Sequence, residues 1–149
     1  MKATTLTSLI IALAAIFFVA CSTTATPMTP SELEGEWSII EVGGMETVGE
    51  TPPFIGLNIK EGRIYGSNSC NRINGLIDEN KEQKAGILSF GKIASTMMFC
   101  ANSPMEQQIM DALKKVKQYS ATDDNGVITL LDTNTKPLMK IKRKGKDVN

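Results

Sequence analysis

From Trp37 onward, apolar and polar positions alternate through most of the chain. Trp37, Ile39 and Glu41 fall on one face of an extended segment and Ser38, Ile40 and Val42 on the other, between Gly35 and Gly43-Gly44. A period of two marks a half-buried strand. After the Pro52-Pro53 turn, Ile55, Leu57 and Ile59 share one side of a second strand, and Glu61-Gly62 folds it back into a third over Arg63–Ser67 as a hairpin. Residues 66–75 (GSNSCNRING) are rich in Gly, Asn and Ser and are predicted as loop. Leu76-Ile77 is a short strand, residues 78–84 a polar exposed turn, and residues 86–93 another strand. Asp123-Asp124-Asn125-Gly126 predicts a hairpin turn joining residues 119–122 to Val127–Leu131, and residues 138–142 alternate apolar and basic side chains as the last strand.

One segment has a period near 3.6. Met105, Ile109, Ala112, Leu113 and Val116 form a single stripe, and Asp111 with Lys114 or Lys115 pairs along the opposite face. Ser103-Pro104-Met105-Glu106 supplies a capping box with Pro at the first helical position, so a helix is predicted over residues 104–118. Seven or eight short strands and one helix make the fold α+β, mainly β. The expected architecture is a small antiparallel β-barrel-like sheet, curled to hide its edges, with the helix packed at an end.

Residues 9–20 break the pattern: they are 12 consecutive apolar residues after Lys2. A bilayer span needs about 20, so this stretch fits the core of a signal peptide over residues 1–20. Val19-Ala20-Cys21 resembles the bacterial lipobox, in which the Cys is diacylated and becomes the mature N-terminus; Phe18 stands where Leu is usual. Cys21 is therefore the expected lipid attachment point, against the alternative of ordinary secretory cleavage nearby. Residues 21–31 are dominated by Ser, Thr and Pro and read as a flexible tether, residues 32–144 as the folded body and residues 145–149 as a polar C-terminal tail. Ser22 rather than Asp follows the Cys, and no acidic cluster comes after it. By resemblance to lipoprotein sorting signals, the chain is expected at the outer membrane, facing the periplasm, as a monomer partnered to the membrane through its lipid.

Composition removes several functional classes. The 149 residues contain no His, which excludes His-based triads, His metal clusters and the usual proton shuttle near neutral pH. Sixteen basic residues balance sixteen acidic ones, so the electrostatic footprint of a nucleic-acid binder is missing. The charges are nevertheless segregated: residues 32–50 hold six Glu and no base, and residues 136–149 hold six Lys or Arg and one Asp. The basic stretch is expected to be a solvated terminus. Beyond Cys21 there are two cysteines, Cys70 and Cys100. A secreted location makes a disulfide the expectation, worth about 3–4 kcal/mol in the chain-entropy model; two buried free thiols acting as small hydrophobes are the alternative.

The order of these pieces resembles the META domain, also called the heat-shock protein HslJ family. The resemblance rests on Leu33-Glu34-Gly35-Glu36-Trp37, Pro53-Phe54-Ile55, Gly66 with Cys70-Asn71 and Gly75, Thr96-Met97-Met98-Phe99-Cys100, the helix, and Leu130-Leu131-Asp132 with Pro137-Leu138. It covers about residues 31–143. Three positions depart from the pattern: Ser69 replaces a Gly before Cys-Asn, Ile77 an aromatic, and Met97 a basic residue. The resemblance implies a compact barrel-like domain of bacterial envelope lipoproteins linked to heat shock and envelope stress. It implies no agreed enzymatic activity and no agreed cofactor. It also implies that Cys70 and Cys100 leave strands at the same end of the barrel, with Cα atoms within about 7 Å.

Candidate chemistry is thin. Ser89-Phe90-Gly91-Lys92 matches the Ser-x-x-Lys nucleophile motif, but that chemistry needs a helical spacing, and in a strand the two side chains point to opposite faces. Met97, Met98, Cys100 and Met105 offer soft ligands for Cu(I), yet Met is also a common core filler, and no metal or cofactor is expected. Asn68, Asn71, Arg72 and Asn74 cluster beside Cys70. Asn71, Asn74, Thr96 and Met98 are the candidate structural or binding loop, with Thr96 a partner of Asn71 and Trp37 a core residue. The expected function is non-enzymatic: envelope stress response through binding of an envelope protein or a small apolar molecule. The alternative is a lipocalin-like carrier with a barrel cavity. An interior filled by Trp37, Phe54, Tyr65, Phe90 and Phe99 would favour the interaction module, and an empty apolar pocket the carrier.

Overall fold

Short alternating segments can bury one face each only by pairing, and the computed structural model shows how they pair. It describes residues 28–78, 84–101, 105–121 and 126–145. The expectations for the signal peptide, Cys21, the first part of the tether, the Ser103-Pro104 cap, residues 123–125 and the last residues of the tail lie outside the described residues. A 3-10 turn over Pro30–Leu33 leads into strands β1 (Gly35–Val42), β2 (Met45–Glu46), β3 (Phe54–Asn58), β4 (Arg63–Ser67), β5 (Arg72–Ile77) and β6 (Phe90–Ser95). Helix α1 (Glu106–Lys115) and strands β7 (Gln118–Ala121), β8 (Val127–Leu131) and β9 (Pro137–Arg143) follow. The strands form one antiparallel sheet in the order β6-β5-β4-β3-β1-β9-β8-β7, with β2 folded back on β1.

This sheet curls into a half-barrel, and backbone contacts just ahead of β6 reach across its seam. Ile87 forms a bridge with Gln118, Leu88 N–H donates to Lys117 O (3.3 Å), and Tyr119 N–H donates to Gly86 O (3.0 Å). Inside, Leu33, Trp37, Ile39, Ile55, Leu57, Ile64, Ile73, Ile128, Leu130 and Ile141 are essentially inaccessible. Ile109 and Leu113 of α1 close the same core. Trp37 is buried, as expected, and its Nε1–H donates to Leu33 O (2.8 Å), satisfying its one polar atom within the core. No helix among the described residues is long and apolar enough to cross a membrane.

Four local expectations need correction. The register of β1 against β9 shifts between Ile39 and Glu41, a bulge that reverses the facing of the strand. Val42 therefore joins Trp37 and Ile39 in the core instead of facing away from them. The predicted loop over 66–75 is partly strand: β5 begins at Arg72, and Asn74 and Gly75 pair with Tyr65 and Ile64 of β4. Gly75 is there because space demands it, since a Cβ would lie 2.8 Å from Lys92 O and 3.1 Å from an Ile64 methyl carbon. Residues 86–89 only bridge the seam, and β6 runs from Phe90 to Ser95. Helix α1 stops at Lys115 rather than 118, because Val116 turns extended (ψ 130°) and Gln118 is already paired with Leu131 of β8.

The segregated charges meet across β1 and β9. Lys140 Nζ lies 2.6 Å from Glu41 Oε2, and Lys144 Nζ lies 3.2 Å from Glu36 Oε2. The Arg143 guanidinium stacks over Trp37 (4.3 Å to the ring centroid) and donates to Glu32 O and Glu34 O. The basic stretch remains largely solvent-exposed, as expected, but Lys140 and Lys144 also serve as counter-charges to Glu41 and Glu36 of the first strand.

Candidate functional site

The rim of the half-barrel where β4 hands over to β5 is built on two asparagines. Asn68 Oδ1 accepts the Asn71 backbone N–H (2.7 Å), and Asn68 N–H donates to Asn71 O (3.0 Å), which closes a tight turn. Ser69 inside this turn has φ +89°, a conformation that suits Gly, and its carbonyl is held by the Thr51 hydroxyl (3.0 Å). Both asparagines are buried, so their amides must be fully partnered.

Asn71 meets that requirement by clasping the segment after β6. Its Oδ1 accepts from the Thr96 hydroxyl (2.8 Å) and from Met98 N–H (2.7 Å). Its Nδ2 donates to Met98 O (3.3 Å) and to Glu106 Oε2 (3.1 Å), at the first residue of α1. Thr96 Oγ1 also accepts Arg72 N–H (3.1 Å), and Thr96 N–H donates to Arg72 O (3.1 Å). A disulfide joins Cys70 to Cys100, with Cα atoms 6.1 Å apart. The segment is therefore tied at both ends: by Asn71 and Thr96 at its start and by the bridge at Cys100.

Between these ties, Met97, Met98 and Phe99 are 98%, 61% and 94% exposed. A cleft of about 470 Å3 runs beside them, lined by Asn71, Thr96, Met98, Phe99, Glu106 and Met110. A second, of about 480 Å3, lies against Thr47, Val48, Thr51, Ser69, Cys100 and Met105, and Asn68 lines both.

Of the candidate loop residues, Asn71, Thr96 and Met98 come together; Asn74 does not. It sits exposed on β5, paired with Tyr65 and Ala94, two residues along the strand from the clasp. Sequence reasoning placed Glu106 in a capping box with Ser103, which lies outside the described residues; in the fold Glu106 Oε2 also serves Asn71, and the described first turn of α1 has Met105 at its N-cap without a side-chain bond. The signal for this role was weak: a Glu at the start of a helix is a capping residue far more often than a partner for a distant Asn. Lys92 is exposed on β6, and buried Ser89 instead accepts from Lys117 Nζ (3.1 Å). Of the five aromatic side chains whose burial would favour an interaction module, Trp37 and Phe90 lie inside; Phe99 is exposed, Tyr65 is 39% exposed and lies over Gly56, and Phe54 lies half-buried under Lys144.

The family model of the META domain matches residues 30–145. Among solved structures, the chain is similar to a protein from Burkholderia xenovorans solved by NMR, with 20% identity, a TM-score of 0.59, and coverage of 81% of this chain and 92% of that one. A second NMR structure is 25% identical with a TM-score of 0.55, covering 77% and 94%. A DUF4847 family protein from Bacteroides vulgatus ATCC 8482 shares the fold at 14% identity and a TM-score of 0.51, covering 77% and 96%. No curated protein matches.

Proposed function

Since the chain belongs to the META-domain family, we propose that it works as a non-enzymatic binding module of the bacterial envelope, tethered by a lipid on Cys21, and that Met97, Met98 and Phe99 form its contact face for an envelope protein. The observation that carries this reading is the near-complete exposure of Met97 and Phe99 on a segment fixed at both ends. Apolar side chains left in water on a held segment mark an interaction site. Fully burying an exposed side chain of this kind yields about 1.5–3 kcal/mol, so Met97 and Phe99 alone provide roughly 3–6 kcal/mol before association costs, with a smaller share from Met98. That suffices for a central anchor, and the flanking cleft of Asn71, Glu106 and Met110 would supply the rim. The aliphatic packing of the half-barrel interior supports this reading over a lipocalin-like carrier.

The test compares capture from envelope extract by the wild-type chain and by Met97→Ser/Phe99→Ser, with mass spectrometry of bound proteins and small molecules. A protein retained by wild type and lost by the variant is the expected result. Identical retention by both would refute the contact face. Labelling with a fatty-acid analogue tests the anchor separately: wild type should label and Cys21→Ser should not.

A further inference from the structure

The disulfide has a third neighbour. The sulfurs of Cys70 and Cys100 and a carboxylate oxygen of Glu106 all lie within 4.8 Å of one another, and all three residues are half-buried. The carboxylate is already aimed. Its Oε2 accepts from Asn71 Nδ2, and the Asn71 amide is itself oriented by Met98 N–H and the Thr96 hydroxyl. Its Oε1 is buried with no hydrogen-bond partner among the described residues. A buried carboxylate oxygen without a partner is costly and calls for an explanation. With the sulfurs bonded to each other, neither they nor the Asn71 amide brings a positive charge to this carboxylate.

We propose that, in the dithiol state, Cys70, Cys100 and Glu106 bind a divalent cation of the zinc class, and that the disulfide is the oxidised, metal-free form of the same site. Typical zinc distances are about 2.3 Å to thiolate and 2.0–2.2 Å to carboxylate, which sets donors roughly 3.5–3.8 Å apart in a tetrahedron. The donors already lie within 4.8 Å and the two Cα atoms 6.1 Å apart, so side-chain rotation is enough to open the bridge into a ligand pair. Asn71 plays the part of the outer hydrogen-bonding partner that fixes a ligating carboxylate. Two thiolates with one carboxylate oxygen suit zinc, whereas Cu(I) favours an all-sulfur set of thiolates and thioethers.

A dithiol reductant delivers two electrons and two protons, the S–S bond breaks to two thiols, and the reductant leaves as its own disulfide. The cation then displaces both thiol protons and forms two metal–sulfur bonds and one metal–oxygen bond, with water in the fourth position. Metal would thus keep residues 70 and 100 tied when the covalent bridge is absent.

The test uses the full chain, reduced with a phosphine and titrated with Co2+ as the spectroscopic stand-in for zinc. The expected result is one equivalent bound, with thiolate-to-cobalt charge-transfer absorption that is absent from the unreduced protein. Affinity should fall at least about tenfold in Glu106→Gln. Near-ultraviolet circular dichroism of Trp37 checks that each form is folded. Should the reduced chain lose that signal, zinc added at one equivalent should restore it in wild type and not in Glu106→Gln. No charge-transfer band in reduced wild type, equal affinity in Glu106→Gln, or equal restoration in both would overturn the site.

Discussion

Replacing Asn71 by Ala removes the acceptor of Thr96 Oγ1–H and Met98 N–H and the donor to Met98 O and Glu106 Oε2. A typical internal hydrogen bond contributes about 1 kcal/mol net, and one to a charged group about 1.5–3 kcal/mol. Met98 and Thr96 are exposed, so water partly replaces Asn71 at their three groups. The expected loss is about 3 kcal/mol, a large share of the roughly 5–15 kcal/mol that holds a domain of this size. Urea unfolding followed by the fluorescence of Trp37, the chain's single Trp, reads this directly. Because Asn71 and the Cys70–Cys100 bridge tie the same segment, a cycle with Cys70→Ser/Cys100→Ser should show a coupling of at least about 0.5 kcal/mol. Asn71→Asp keeps the acceptor but sets a second carboxylate against Glu106. It should therefore destabilise at neutral pH rather than preserve the clasp. An Asn71→Ala loss below about 1 kcal/mol, or additive behaviour in the cycle, would refute the clasp.

Other substitutions probe neighbouring features. Ser69→Gly should stabilise by up to about 1 kcal/mol in the same urea assay, since relief of a positive φ (+89°) outweighs the extra entropy of an unfolded Gly. Gly66→Ala should cost more than about 3 kcal/mol, because its Cβ would meet the Phe54 carbonyl and lie 2.9 Å from Ile55 Cα, and neither can move. Gly56→Ala should cost less, because the obstacle is the part-exposed Tyr65 ring, which can swing outward. Backbone and then side-chain hydrogen bonds from Thr29 hold the Glu32 carboxyl below its ordinary value of 4.5. Its contribution is therefore present above that value and lost as pH falls through the lower folded-state pKa, and Glu32→Gln should flatten that part of a stability–pH curve.

The strands around the core were legible because β3, β8 and β9 carry alternation or apolar runs bounded by turns, and the α1 stripe of Ile109, Ala112 and Leu113 faces inward as its spacing predicts. The bulge at Ile39/Glu41 was not, because one extra residue reverses facing without changing composition. Asn74 and Gly75 read as loop by residue type, yet the sheet needs a residue without a side chain where β5 passes Ile64 and Lys92. Charge segregation was visible, but its meaning was long-range: Glu41 and Lys140 are 99 positions apart. Asn71 and Thr96 were read as partners from residue chemistry and the family pattern. Glu106 was missed because a Glu three residues after Ser103 reads as half of a local capping box, which hid a contact 35 residues away.

The contact face itself is tested most directly by a photo-crosslinking residue placed in living cells at position 99, with position 76 of β5 as the control. Phe99 is 94% exposed and Leu76 52%, and only the first lies on the tied segment. A discrete protein adduct is expected from position 99, absent from position 76 and lost when Asn71→Ala releases the segment. Adducts of the same pattern from both positions, or none from position 99, would contradict the contact face.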